Sequence, residues 1–332
     1  LVDFLLALRK SQLRQLFEDV GLPKSGTKDD LRRRLWQAID DDSVSPEQLV
    51  GFLDSVACWG KQHVFLYDGP HGDIERWKDQ NHVEQMLKDH GLGRLFNSKL
   101  PMILPEKLTL SSVTHADGKL RVSGVQKREY VRRASEHDEE KVSDERERIT
   151  LKAYVHHAAR TLVVFEWDLL SNTAMLQITQ LQEDGDYEAL AKEFKRLVRP
   201  WLDLGQFAEL DLRPAIRRLH EIEELSIAEA RSHGIHYRSL QGRRVSASSP
   251  SPRASVLGEE FLDEAMEKVR KNSVGHLGNF YWLPKVTSGE VPNPLTDDVH
   301  VVIVGSKSRI NFPTPNSEEA LRYVLHRMRS LS

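Results

Sequence analysis

Hydrophobic residues recur at helical spacing over the first forty positions of this chain, and from Lys107 onward the period shortens to two. A period near 3.6 buries one stripe of a helix and a period of two buries one face of a strand. The change therefore marks a passage from one kind of structure to another. Leu5, Leu8, Leu13, Leu16, Phe17 and Val20 predict a helix over 4–20, ended by Gly21. After the loop Leu22-Pro23-Lys24-Ser25-Gly26, Thr27 is a suitable N-cap. Asp30 completes a capping-box pattern for a second helix carrying Leu31, Leu35, Trp36 and Ile39. A further short helix is expected from 45 to about 57.

Residues 62–67 read as a strand closed by Asp68-Gly69-Pro70, and 80–90 as a helix. Leu108-Thr109-Leu110 and Leu120-Arg121-Val122 flank Ala116-Asp117-Gly118, a hairpin signal. Strands are expected at 149–157, 161–168, 174–179, 299–304 and 309–312, and helices at 187–199, 213–231, 258–271 and 317–329. The charged run 133–148 reads as a solvated loop or an extended helix, and the Ser/Pro-rich 243–256 as a flexible loop. The expected fold class is α+β. A small helix–loop–helix module spans 1–42 and a mainly helical connecting segment 43–100. A mixed, mainly antiparallel body follows at 101–242, then a flexible loop at 243–257, and 258–332 completes the body.

Charge limits the function classes. With 47 basic and 50 acidic residues the formal net charge is −3, so any nucleic-acid affinity must come from a local patch. The single cysteine, Cys58, excludes a disulfide within the chain and argues against a Cys-based zinc site; beside Trp59 it reads as a packed thiol. No apolar run approaches the ~18 residues of a membrane span, and the opening residues read as helix rather than signal peptide.

The ordered set Leu13-Arg14-Gln15-Leu16-Phe17, Gly21-Leu22-Pro23, Ser25-Gly26-Thr27-Lys28, Leu31 and Arg34-Leu35 falls without a gap. In this it resembles the SAP motif, named for scaffold attachment factors, Acinus and the PIAS proteins. The resemblance covers about 35 residues and implies two helices joined by an extended loop that bind duplex DNA with modest sequence preference. The residues themselves agree. The second helix aims its N-terminus at the loop, where unpaired N–H groups and the helix dipole favour an anion. The expected DNA contacts are Lys24, Ser25, Gly26, Thr27, Lys28, Arg32 and Arg33, extended by Arg9, Lys10 and Arg14 of the first helix. Gly26 would let a phosphate approach the backbone. Arg34 could pack beside Leu35 instead. A protein-docking or purely structural helix pair is the alternative, since Asp29 and Asp30 dilute the charge.

The aromatic strand and acidic-glycine turn at 64–73, then strands bearing Lys127, Arg128, Tyr130 and Arg132, then a helix, are similar in order to the centromere protein N family. That similarity implies a second DNA surface at Lys127, Arg128, Arg132 and Arg133; the plainer reading is an exposed loop offsetting Glu136 to Glu140. Catalytic patterns are weak. His156 and His157 would point to opposite strand faces. His233 and His236 are interrupted by Gly234. Gly305-Ser306-Lys307-Ser308 lacks the spaced glycine of a phosphate loop. Glu166 and Asp168 share a strand face, as nuclease carboxylates do, but position 150 is Thr where an acid-x-Lys element would need an acid. The expectation is a non-enzymatic, intracellular DNA-binding protein without cofactor or metal, located in the nucleus of a eukaryote or in the cytoplasm or nucleoid of a prokaryote. Its body would supply a second DNA surface or a protein-binding surface. A metal-dependent nuclease and an adaptor are the alternatives.

Overall fold

The computed structural model describes residues 10–49, 52, 59–72, 74–98, 104–142, 148–181, 185–224, 229–284 and 292–332. Helices α1 (Lys10–Asp19) and α2 (Lys28–Asp40) enclose their own apolar cluster of Leu13, Leu16, Phe17, Leu31, Leu35, Ala38, Val44 and Leu49. The helix expected from 45 begins at Pro46, and its later residues lie largely outside the described ones.

The body is built on one sheet. Its strands are β1 (Gln62–Asp68), β2 (Thr109–Ala116), β3 (Lys119–Arg133), β6 (Tyr154–Asp168), β7 (Thr173–Thr179), β8 (Ala208–Glu209), β9 (Ala230–Ser239), β10 (Arg244–Ser248), β11 (Ser273–Trp282), β12 (Val299–Val304) and β13 (Arg309–Phe312). They run in the order β10-β9-β11-β12-β13-β1-β7-β6-β3-β2, with β8 also on β1. Each pairing is antiparallel, which makes the chain α+β. The strand at 62–68, placed in a connecting segment by the sequence, lies in the middle of the sheet. Its Phe65 and Tyr67 face one apolar cluster and its Val64 and Leu66 the other, which is why nearly the whole strand is apolar.

The helices cover opposite faces of the two halves. On the β2–β7 half, α3 (Gln80–Asp89) and α4 (Tyr187–Val198) close a cluster around Phe165, Trp167, Leu176 and Phe194. On the β9–β13 half, α5 (Arg213–Glu224), α6 (Glu260–Lys271) and α7 (Glu318–Leu331) close the other, around Ile216, Tyr237, Phe280, Trp282 and Val324. Asp117 and Gly118 turn the β2–β3 hairpin with φ of 51° and 69°, the two positive values of a type I′ turn.

Several expectations are corrected. The helix expected over 213–231 ends at Glu224, and β9 occupies 230–239. β11 was not foreseen: register shifts at Gly275/Leu277 and Asn279/Phe280 break its alternation. The strands expected at 149–157 and 161–168 are β5 (Arg148–Leu151) and the single fifteen-residue β6. In the charged run at 133–148 the described residues form a 3-10 turn and then β4 (Glu139–Val142), which pairs with β5, and 143–147 lie outside the described residues. The Ser/Pro-rich segment supplies edge strand β10. It is then pinned by Ser249 N to His233 O at 2.9 Å, Val256 N to Ser232 O at 2.9 Å and Ser255 Oγ to Glu223 at 2.6 Å. Hydrogen-bonding serines, which suit a loop by composition, here bond to neighbouring elements.

Candidate nucleic-acid interface

The capping box at the start of α2 is complete. Thr27 Oγ1 accepts from Asp30 N at 3.2 Å, and Asp30 Oδ2 accepts from Thr27 N at 3.0 Å. These Thr27 hydrogen bonds hold the Asp30 carboxyl below its ordinary pKa. The helix thus carries a carboxylate of its own beside the N-terminus, and an incoming phosphate would meet the rim of this turn rather than its axis. Gly26 sits at φ 116°, and a Cβ there would lie 3.0 Å from Asp30 Cβ. Its glycine is therefore required by backbone conformation and by the capping aspartate.

Around this turn Arg14, Lys24, Ser25, Thr27, Lys28, Arg32 and Arg33 are all exposed. Lys24 contacts Glu18 at 2.8 Å and Arg33 contacts Asp30 at 2.9 Å. Such exposed pairs are worth little and exchange readily for a phosphate. Arg9 and the side chain of Lys10 lie outside the described residues. Arg34 is the residue whose role the sequence left open. Its guanidinium donates to Pro23 O at 2.8 Å and to Ser25 O, which folds the loop against α2. Arg34→Ala is expected to cost the module about 1–1.5 kcal/mol, seen as roughly tenfold faster amide exchange across α2. Unchanged exchange would show that the loop holds itself.

Lys127, Arg128, Arg132 and Arg133 do not form one patch. They lie where β3 and β6 run on beyond β2 and β7 as a two-stranded arm, and alternation sends Lys127 and Arg133 to one face and Arg128 and Arg132 to the other. Lys127 pairs with Glu129 at 2.5 Å. Arg133 is held by Asp138, whose carboxyl that bond lowers to about 2. Arg128 and Arg132 flank Tyr130, which stacks on His157 at 5.3 Å.

The remaining chemical candidates resolve as packing. Glu166 is buried between Arg121 at 2.6 Å and Arg322 at 2.8 Å. Burial alone would raise its pKa, but the two guanidiniums outweigh it and hold the carboxyl below 4.5. Asp168 accepts from the backbone N–H groups of Leu170 and Ser171 at 2.9 and 3.0 Å. His156 and His157 point to opposite faces of β6. His233 and His236, expected near a loop, are half-buried on β9. Gly305–Lys307 is a single 3-10 turn. Cys58 lies outside the described residues. Among the described residues no group of three His, Cys, Asp or Glu is placed to hold a metal ion.

Sequence reasoning overlooked one signal. The strands β9 to β13 contain Arg231, Arg238, Arg244 and Arg309 and four histidines but no aspartate or glutamate, in a chain with 50 acidic residues.

Residues 5–40 match the family model of the SAP domain. No curated protein matches the chain. The match covers the helix pair and its loop, and indicates nucleic-acid binding by this module. No described helix is long and apolar enough to cross a membrane.

Proposed function

We propose that this protein is a non-enzymatic DNA-binding protein that tethers to duplex DNA through its N-terminal module. The observation that carries the reading is the set of exposed cations inside the SAP match, Lys24 in the loop, Lys28, Arg32 and Arg33 in the first two turns of α2 and Arg14 on α1. Contacts of this kind grip phosphates without reading sequence. The body would then supply a second surface, for which Arg128 and Arg132 are the better placed of the four arm cations. Its place of action would be with genomic DNA inside the cell.

The test is fluorescence anisotropy with a labelled duplex between ~50 and ~200 mM salt. Each phosphate contact contributes about −0.9 to the slope of log K against log salt, so Lys24→Ala/Lys28→Ala/Arg32→Ala should flatten it by up to ~2.7. An unchanged slope would sink the reading. The burial of Glu166 between two arginines argues against the nuclease alternative. Single-stranded, duplex and branched DNA are all expected to stay intact with Mg²⁺ or Mn²⁺. Trp36, 49% exposed on α2, favours protein docking as the second reading. A pull-down that survives nuclease digestion and fails with Trp36→Ala would support that reading.

A further inference from the structure

Helices α5 to α7 cover one face of the β9–β13 half of the sheet. Ile235, Tyr237, Phe280, Trp282, Val301 and Ile303 point into the cluster beneath α5 to α7. On the opposite face α4 reaches only the β13 border, where Glu188 holds Arg309 at 2.8 Å and Tyr187 lies against it, and the half-buried Tyr281, Val302 and Val304 belong to none of the three apolar clusters. This second face is organised in three parts. In the middle, Tyr281 and His300 are cross-strand neighbours whose rings stack at 4.6 Å and 8°. The Arg231 guanidinium lies 5.5 Å from the Tyr281 ring, and Asn279 bonds His300 Nε2 at 2.7 Å. At the far end of β9, Arg238 and Arg244 stand directly opposite one another, both exposed. At the border with α4, His63 Nδ1, Arg309 Nε and Asn311 Oδ1 are buried without a hydrogen-bond partner among the described residues.

Two like charges directly opposite in a ladder repel unless something brings a counter-charge. No ion pair of Arg238 or Arg244 occurs among the described residues, and the five strands contain no carboxylate to supply one. The surroundings of three imidazoles at this face disfavour their charged form. Burial keeps His300 below its ordinary value, and burial followed by Arg244 does the same for His236 and His276. Their contribution is a flat π surface. Fixed guanidiniums for phosphates beside aromatic rings for bases are what an unpaired strand can use and a duplex cannot, because a duplex keeps its base faces stacked on each other.

We propose that the second face of the β9–β13 half-sheet binds single-stranded nucleic acid, with Arg238 and Arg244 on phosphates and the stacked Tyr281–His300 pair packing against bases as a unit. This surface is separate from the N-terminal module and does not rest on the duplex reading. The test uses the full chain and three labelled probes: an oligothymidylate of about 12 nucleotides, a uridylate RNA of the same length, and a duplex. Arg238→Ala/Arg244→Ala and Tyr281→Ala/His300→Ala are each expected to weaken single-strand binding about tenfold and to leave duplex binding unchanged. Val304→Glu places a carboxylate on the face without removing a polar contact, and should do the same. The relative affinity of the two single-stranded probes then tells DNA from RNA. Lys24→Ala/Lys28→Ala/Arg32→Ala should produce the converse pattern. Failure of that variant alone would count against the module and not against the sheet. The proposal is overturned if neither single strand binds the wild type, or if Arg238→Ala/Arg244→Ala and Val304→Glu leave single-strand binding intact. A parallel loss of duplex affinity would also overturn it, because the face would then grip backbone alone.

Discussion

Glu166→Ala is expected to destabilise the body by about 3–5 kcal/mol while leaving duplex binding by the N-terminal module unaltered. The carboxylate is buried and receives Arg121 from the neighbouring strand and Arg322 from α7. Removing it leaves two guanidiniums facing one another across a cleft with only Glu318 beside Arg322, and α7 keeps Arg329 as its polar anchor to β1 and β7. Chemical denaturation of the full chain, followed by tryptophan fluorescence, measures the loss. Retained stability would show that water or Glu318, which also holds Arg322 at 2.7 Å, can replace the pair. The same group sets an acid limit. Its folded pKa lies below the ordinary 4.5, so its contribution is fully present above that value and fades as pH falls through the depressed one. In Glu166→Gln this part of the acid sensitivity should disappear.

Gly275→Ala should have the next largest effect, about 2–3 kcal/mol. A Cβ at this position in β11 would stand 2.7 Å from Ile216 Cβ and 2.9 Å from the carbonyl oxygen of Arg213. Neither is the loose end of a side chain, so α5 itself would have to lift from the sheet. Because α5 backs the strands that present Tyr281 and His300, single-strand binding should fall with stability. Leu277→Ala, on the second face, should cost less than about 1 kcal/mol. Equal stability of Gly275→Ala and wild type in a thermal melt would mean that the helix can move without penalty.

The legible parts of this chain were those in which one period runs unbroken. The helix pair, its Thr27 cap and the Gly21 stop were readable because each signal is local and spaced as the backbone requires. So were the Asp117-Gly118 hairpin and the helices carrying Leu190, Phe194 and Leu321. The sequence lost β11 because two bulges shift its alternation, and β9 because Gly234 reads as a helix breaker when it is a strand residue backed by Asn279. Charge was harder to read than period. Lys127 to Arg133 looks like one basic run, but the strand deals its members to two faces and two carboxylates absorb half of them. The β9–β13 half-sheet has the opposite character: its arginines are scattered over about eighty residues of sequence and meet only through antiparallel pairing.

The central position of β1 also bears on how the chain is made. Its long neighbours in the sheet are β7 and β13, with the two-residue β8 beside its end, and β13 begins at Arg309, 241 residues after β1 ends at Asp68. At about 5–20 residues per second, a ribosome delivers β13 roughly 10–50 s after β1 has emerged. During that interval β1 can pair with β7 and close the first half-sheet, but its other edge stays open. Beyond the Leu66 to Asp68 end, which Leu210 and β8 cover, that edge is a row of unpaired N–H and C=O groups over Gln62–Phe65, next to the apolar Val64. The nascent protein therefore passes through a half-built state with an adhesive edge. Truncation after β7 and before Arg309 should trap that state, and such fragments should associate through β1 while the N-terminal helix pair folds normally.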